Sequence, residues 1–143
     1  MALAPARSLR MVIAPPPPEF TEVIFIETGC GTDQHGQDAT KACVRACKDA
    51  ISWNSIPSLA RLVPGGNEAV KIRLQLAVPF VGDEPPALDM EQVRSVFAYG
   101  MLQEPVTVLP GGARFSSMCS VPTLGDDQEA SWIVAIACVT VGY

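Results

Sequence analysis

The chain has 143 residues, with 10 Lys plus Arg against 15 Asp plus Glu, a net charge of −5, one His, five Cys and 13 Pro. With 48% of its residues hydrophobic and 17% charged, a chain of this length supports one domain with a real core and excludes a disordered acidic tail. No cluster of lysine and arginine interleaved with aromatics offers a footprint for nucleic acid, and no apolar run reaches the roughly 18 residues that span a bilayer, the longest being Trp132 to Val139.

Met1 to Ala14 carries Arg7 and Arg10 without an acidic residue, the polarity of a short organelle-targeting peptide. It lacks both a long amphipathic helix and the hydrophobic middle of a signal peptide. Pro15 to Pro18 adds a stiff polyproline stretch with no backbone donors. Residues 1–20 therefore read as a flexible proline-rich arm, and residues 21–143 as a single domain. The cysteines Cys30, Cys43, Cys47, Cys119 and Cys138 are odd in number, contain no CxxC pair and lie in or beside apolar segments, which favours reduced thiols and a cytoplasmic location.

From Glu22 to Thr28, the run Val23, Ile24, Phe25 and Ile26 is apolar on both faces, as a buried strand requires. Gly29, Gly31 and Gly36 are expected to break that strand, after which Asp38 caps a helix from Ala39 to about Trp53. Its apolar side holds Ala39, Cys43, Val44, Cys47, Ala50 and Ile51, so Cys43 and Cys47 read as core residues rather than ligands of a soft metal. Lys41, Arg45 and Lys48 recur at four and three residues along a different face, where Arg45 and Lys48 read as a solvated stripe. Lys41 differs, because a cation in the first turn opposes the helix dipole and needs a partner.

Asn54 to Asn67 predicts a loop with one helical turn at Ser58 to Leu62. From Val70 to Val78 apolar residues alternate with polar ones, a strand with one face on the core. Asp89 caps a second helix running through Tyr99, with Met90, Val93, Val96 and Phe97 inward and Gly100 at its end. Val106 to Leu109 and Ala113 to Met118 flank Pro110, Gly111 and Gly112, which predicts two short strands around a tight turn. Ser131 to Val141 is a final apolar strand with both faces to cover. The order β-α-β-α-β-β-β predicts an α+β fold: a mixed sheet of four or five strands with two helices on one face. The apolar outward face of the last strand predicts association through the sheet.

The densest polar segment, Gly29 to Lys41, joins a strand end to a helix start, a common place for a ligand. Its glycines match neither GxGxxG nor GxxxxGK[ST], so nucleotide phosphate is not indicated and no cofactor is assigned. His35, the single histidine, suits proton transfer near neutral pH. Asp33 and His35, with Asp38 or Cys30, would make a metal site, but carboxylate–x–His spacing without a second His is unspecific and no metal is assigned. Ser116 or Ser117 near His35 would suit a hydrolase, although no GxSxG elbow is present.

The run Ile26 to Ile51, with Asp33-Gln34-His35-Gly36-Gln37-Asp38-Ala39-Thr40-Lys41 at its centre and Asn54-Ser55-Ile56-Pro57 after it, resembles a family of short conserved hypothetical proteins known by a locus-tag name. The likeness spans most of Val23 to Tyr143 and implies no reaction. A more distant resemblance is to one repeat of the ring-opening amidohydrolases for cyanuric and barbituric acids. There, an aspartate near a helix start precedes a substrate-binding arginine, and a strand–loop serine pairs with a lysine at the end of the first strand. Asp38 and Lys41 are similar to the first pair, and Phe115-Ser116-Ser117 to the serine junction. Glu27 or Thr28 stands where the lysine of the dyad would be, so a Ser–Lys nucleophile is not implied. What this resemblance implies is architecture: one chain as one repeat, and three chains around a shared site.

Together these readings predict an oligomer, a homotrimer or a multiple of one, that binds a small polar ligand at subunit junctions. The catalytic candidates are His35, Lys41, Ser116 and Ser117; the ligand-binding candidates are Asp33, Gln37, Asp38 and Arg73. One reading is an enzyme that hydrolyses or isomerises a cyclic amide or related carbonyl compound. The other is a non-catalytic ligand-binding or assembly module, for which an apolar face is explanation enough.

Overall fold

The computed structural model describes residues 11–125 and 130–143, so the targeting reading of Met1 to Ala14 falls largely outside the described residues. The architecture is α+β, with one mixed sheet of six strands. These are β1 (Val23–Asp33), β2 (Lys71–Val78), β3 (Met101–Leu102), β4 (Thr107–Pro110), β5 (Ala113–Ser116) and β6 (Ser131–Gly142). The helices are α1 (Ala39–Ser52) and two short pieces, α2 (Leu59–Leu62) and α3 (Met90–Arg94).

The final strand is the centre of the sheet. β1 pairs antiparallel along one side of β6, from Val23 opposite Gly142 to Asp33 opposite Ile133. Along the other side, β2 pairs with the stretch ending at Gly142 and β5 with the stretch starting at Ser131, both antiparallel. β3 and β4 lie parallel to β2 on its far side. Period two decides what is covered: Leu74, Leu76 and Val78 of β2 and Ile133, Ala135, Ala137 and Val139 of β6 are at most 2% exposed. Against them α1 sets Ala42, Cys43, Ala46, Cys47 and Ala50, spaced three and four apart and equally buried.

Gly29 and Gly31 do not break the first strand, contrary to their reading as breakers. β1 runs through both and ends at Asp33. Their role is close packing: a Cβ on Gly29 would lie 2.2 Å from Ala50 N, and one on Gly31 would lie 2.1 Å from Ala42 O. Alanines on the helix and glycines on the strand let the two backbones approach each other. The true turn glycine is Gly36, at φ +91°.

Two further expectations change, and one strand is additional. The second helix stops at Arg94 rather than Tyr99, where the Ser95 hydroxyl donates to the Gln92 carbonyl at 2.7 Å and the chain continues in turns. Val93 is nevertheless fully buried, and Met90, Val96 and Phe97 pack on the core as expected. β4 and β5 do not pair with each other. At Gly111 and Gly112 the chain steps over the end of β2, so that β4 follows β2 and β5 joins β6; a Cβ on Gly112 would lie 2.1 Å from Val134 O. The two-residue β3 was not foreseen, because a pair such as Met101–Leu102 carries no period.

All packing by α1 is on one face of the sheet. The opposite face carries Ile26, Thr28 and Cys30 of β1, Trp132, Val134, Ile136 and Cys138 of β6, Gln75 and Ala77 of β2, and Phe115 of β5. Ile26, Phe115 and Ile136 are 62%, 52% and 42% exposed. At one end this face meets the incoming chain: Phe20 is 5% exposed beside Gly142, Lys71 Nζ donates to the Glu19 carbonyl at 2.9 Å, and Arg73 pairs with the Glu19 carboxylate at 3.3 Å.

Candidate functional site

The end of β1 and the start of α1 form a charged junction around Asp33. Its carboxylate is 2% exposed, although an unpaired buried carboxylate is costly. Oδ1 lies 3.2 Å from both Lys41 Nζ and Arg45 Nη1, and Oδ2 accepts from the Asp38 backbone N–H at 3.0 Å. Arg45 also donates to the Thr32 carbonyl. Asp38 caps α1 as expected, accepting from the Lys41 N–H at 3.0 Å. The partner that Lys41 needed is therefore Asp33. The side chains of Lys41 and Arg45 remain 51% and 49% exposed, so both cations are anchored at one side and open to solvent at the other.

The other candidates lie around this junction or far from it. His35 and Gln37 belong to the turn between β1 and α1, where Gln37 at φ +48° donates its side-chain amide to the Ser131 carbonyl. Ser116 pairs with Ser131 at the same end of the sheet. The serine hydroxyls are engaged within their own turn: Ser117 donates to the Cys119 carbonyl at 2.6 Å, and Ser116 accepts from the Met118 N–H at 3.3 Å. Arg73 stands apart. It faces Thr140 whereas Asp33 faces Ile133, seven residues along β6, or about 23 Å at ~3.3 Å per residue, and on the opposite face of the sheet. The structure thus joins Asp33, Asp38 and Lys41, sets Gln37 and the serines nearby, and leaves Arg73 out.

Arg45, read as solvated, is a full member of the cluster. Its signal was the four-residue spacing from Lys41, which puts two cations over one strand end. Asp49, four residues further on, was missed altogether; it accepts from the Cys30 N–H at 2.8 Å and from Trp53 Nε1 at 3.0 Å, and these bonds hold its carboxyl below the usual range. Cys43 and Cys47 are core residues as expected. Burial pushes their thiols up to about 11 and about 12, which keeps them protonated and unreactive. Among the described residues no group of three His, Cys, Asp or Glu is gathered to hold a metal. No helix among them is long and apolar enough to cross a membrane.

Two concavities formed by described residues lie elsewhere. One, of about 600 Å³ and open to solvent on one side, is bounded by the end of α1, the segment leading into α2, the start of β2 and the turn before β3. The other, of about 280 Å³, lies between Pro85 and Pro86 before α3 and Pro105 before β4. Neither is lined by a residue between Cys30 and Asp38.

Residues 23–141 match the model of a family described as conserved hypothetical protein (Lin0512_fam). The chain belongs to this family. Among solved structures, a Lin0512_fam chain of this sequence is similar to an FtsZ-like protein of unknown function from Nostoc punctiforme, with 34% identity, a TM-score of 0.69, and coverage of 84% of this chain and 93% of that one. No curated protein matches. The resemblance to the conserved hypothetical family is therefore correct, while the likeness to the ring-opening amidohydrolases is not confirmed.

Proposed function

We propose that this chain is a self-associating subunit, a homotrimer or a multiple of one, that packs copies of itself together through the helix-free face of its sheet. The observation that carries this reading is the apolar strip across three neighbouring strands: Ile26, Ile136 and Phe115 are all more than 40% exposed, and Phe115 rests on Trp132 with ring centroids 5.8 Å apart. Solvating such a strip is unfavourable, at about 25 cal/mol per Å² of apolar surface, and strips from three copies converging on a threefold axis remove that surface from water. Light scattering at micromolar concentration should give a mass several times 15.2 kDa, and Ile136→Lys should return a folded 15.2 kDa monomer. A monodisperse wild-type monomer overturns the reading.

A second reading rests on the half-exposed cations of Lys41 and Arg45. Fixed by a buried carboxylate and open to solvent, they suit the carbonyl or carboxylate of a small polar ligand, with His35 to move a proton in a hydrolysis or isomerisation of a cyclic amide. Thermal-shift screening of cyclic amides and small carboxylates on wild type and Lys41→Ala tests it. Equal shifts in both proteins for every binder remove Lys41 from the site.

A further inference from the structure

The 600 Å³ cleft lies on the helix-bearing side of the sheet, at the end opposite the charged junction. Phe25 on its wall is eight residues along β1 from Asp33, about 26 Å at ~3.3 Å per residue. Its floor is core surface: Val70, Ile72 and Val141 are each between 5% and 7% exposed. Gly100, at φ +80°, closes one side with backbone alone; a Cβ there would lie 3.0 Å from Ile72 Cδ1, so the missing side chain lets the turn rest directly on the floor. On a chain of net charge −5, no charged residue is among those lining the cleft, and Asn67 and Tyr99 are its residues with polar side-chain groups.

We propose that this cleft binds a neutral small molecule with an aromatic body and one hydrogen-bonding group, for which Asn67 and Tyr99 are the partners available on the lining. Three features select that class. The volume is that of a small-ligand pocket, roughly 300–1,000 Å³, rather than the flat area of a protein interface. The uncharged lining excludes an ionic ligand, which would lose its hydration without gaining a counter-charge. The walls come from three separate segments, so an occupant touches α1, the approach to α2 and the turn before β3 at once. The site goes beyond self-association, which uses the other face.

The test uses N-phenyl-1-naphthylamine, a neutral aromatic amine whose fluorescence rises in an apolar site. The full chain should bind it saturably, one molecule per chain. Ala60→Phe and Ala98→Phe, both at exposed positions on the lining, should each weaken binding at least tenfold with the melting temperature kept within a few degrees. Two variants guard against one failing to fold. Ile136→Lys, on the other face, should leave the affinity unchanged. Absence of saturable binding, equal affinity in wild type and both filled variants, or loss of binding in Ile136→Lys with retention in the filled variants each overturns the proposal.

Discussion

The Asp33 carboxylate and the Arg45 guanidinium meet at 3.2 Å across the junction of strand and helix, the first 2% exposed and the second half in water. Removing the buried member strands nothing charged in the interior, whereas removing a cation leaves the carboxylate with one partner fewer. Asp33→Ala nevertheless deletes three interactions at once, those with Lys41, Arg45 and the Asp38 N–H, and at about 1 kcal/mol for each should destabilise by about 3 kcal/mol. Lys41→Ala, which loses one half-exposed pair, should cost at most about 1 kcal/mol. Urea unfolding of both variants checks the ratio, and equal losses would mean the carboxylate is not the hub.

Gly31→Ala should be among the most damaging single changes in the chain. Its new Cβ would sit 2.1 Å from Ala42 O and 2.2 Å from Ala46 N, both helix backbone that cannot swing aside. Overpacking of this kind costs about 3 kcal/mol or more. A variant that melts within two degrees of wild type would show that helix and strand separate easily.

The buried thiols predict a loss of stability at alkaline pH. The folded values of Cys43 and Cys47 are raised, to about 11 and about 12, from 9.0. Unfolded chains therefore release these protons first, so the contribution is complete below pH 9 and shrinks as pH rises towards the folded values. The melting temperature should fall between pH 9 and pH 10.5, and the double variant Cys43→Ala, Cys47→Ala should show a shallower fall from a lower starting point. An identical alkaline limb in both would assign it to other groups.

Asp49 acts at the other extreme. Its folded carboxyl is held below 3.8, chiefly by the Cys30 N–H and then by Trp53 Nε1, so its contribution is complete above the unfolded value and is lost as pH falls below it. In Asp49→Asn, the slope of stability against pH below 4 should be smaller than in wild type.

Phe20 should matter more than the residues before it. Its 5% exposure beside Gly142 gives Phe20→Ala an expected cost of about 3 kcal/mol, while deletion of residues 1–13 should leave the melting temperature within a few degrees. Calorimetry on the two variants separates an anchored phenyl ring from an expendable arm.

The main elements were legible where the sequence has a period or a cap. Asp38 and Asp89 mark the starts of α1 and α3, Lys71 to Val78 alternates cleanly, and Cys43 and Cys47 share the stripe that is buried. Gly29 and Gly31 differ from their reading as breakers because local conformational freedom and close approach of a helix to a strand favour the same residue, and only the alanines on α1 distinguish them. The supposed turn at Gly111 and Gly112 failed similarly: two short strands and a glycine pair fit a hairpin locally, whereas the partners are chosen by β2 and β6. Of the site, Lys41 stands out through its conflict with the helix dipole, whereas Arg45 shows only in its four-residue spacing from Lys41, which a solvated stripe has as well. Arg73 lies on the opposite face of the sheet from Asp33, a placement that only the strand register reveals.

The outer border of β1 offers one last consequence. Asp49 occupies the Cys30 N–H and Arg45 the Thr32 carbonyl, backbone groups that an incoming strand from another molecule would need. A helix that lends its side chains in this way stops the sheet from growing sideways, and sideways growth is the route to fibres. Lateral growth from that border is thereby opposed, so this protein should remain clear in solution at concentrations where an unguarded eleven-residue border would seed insoluble ribbons.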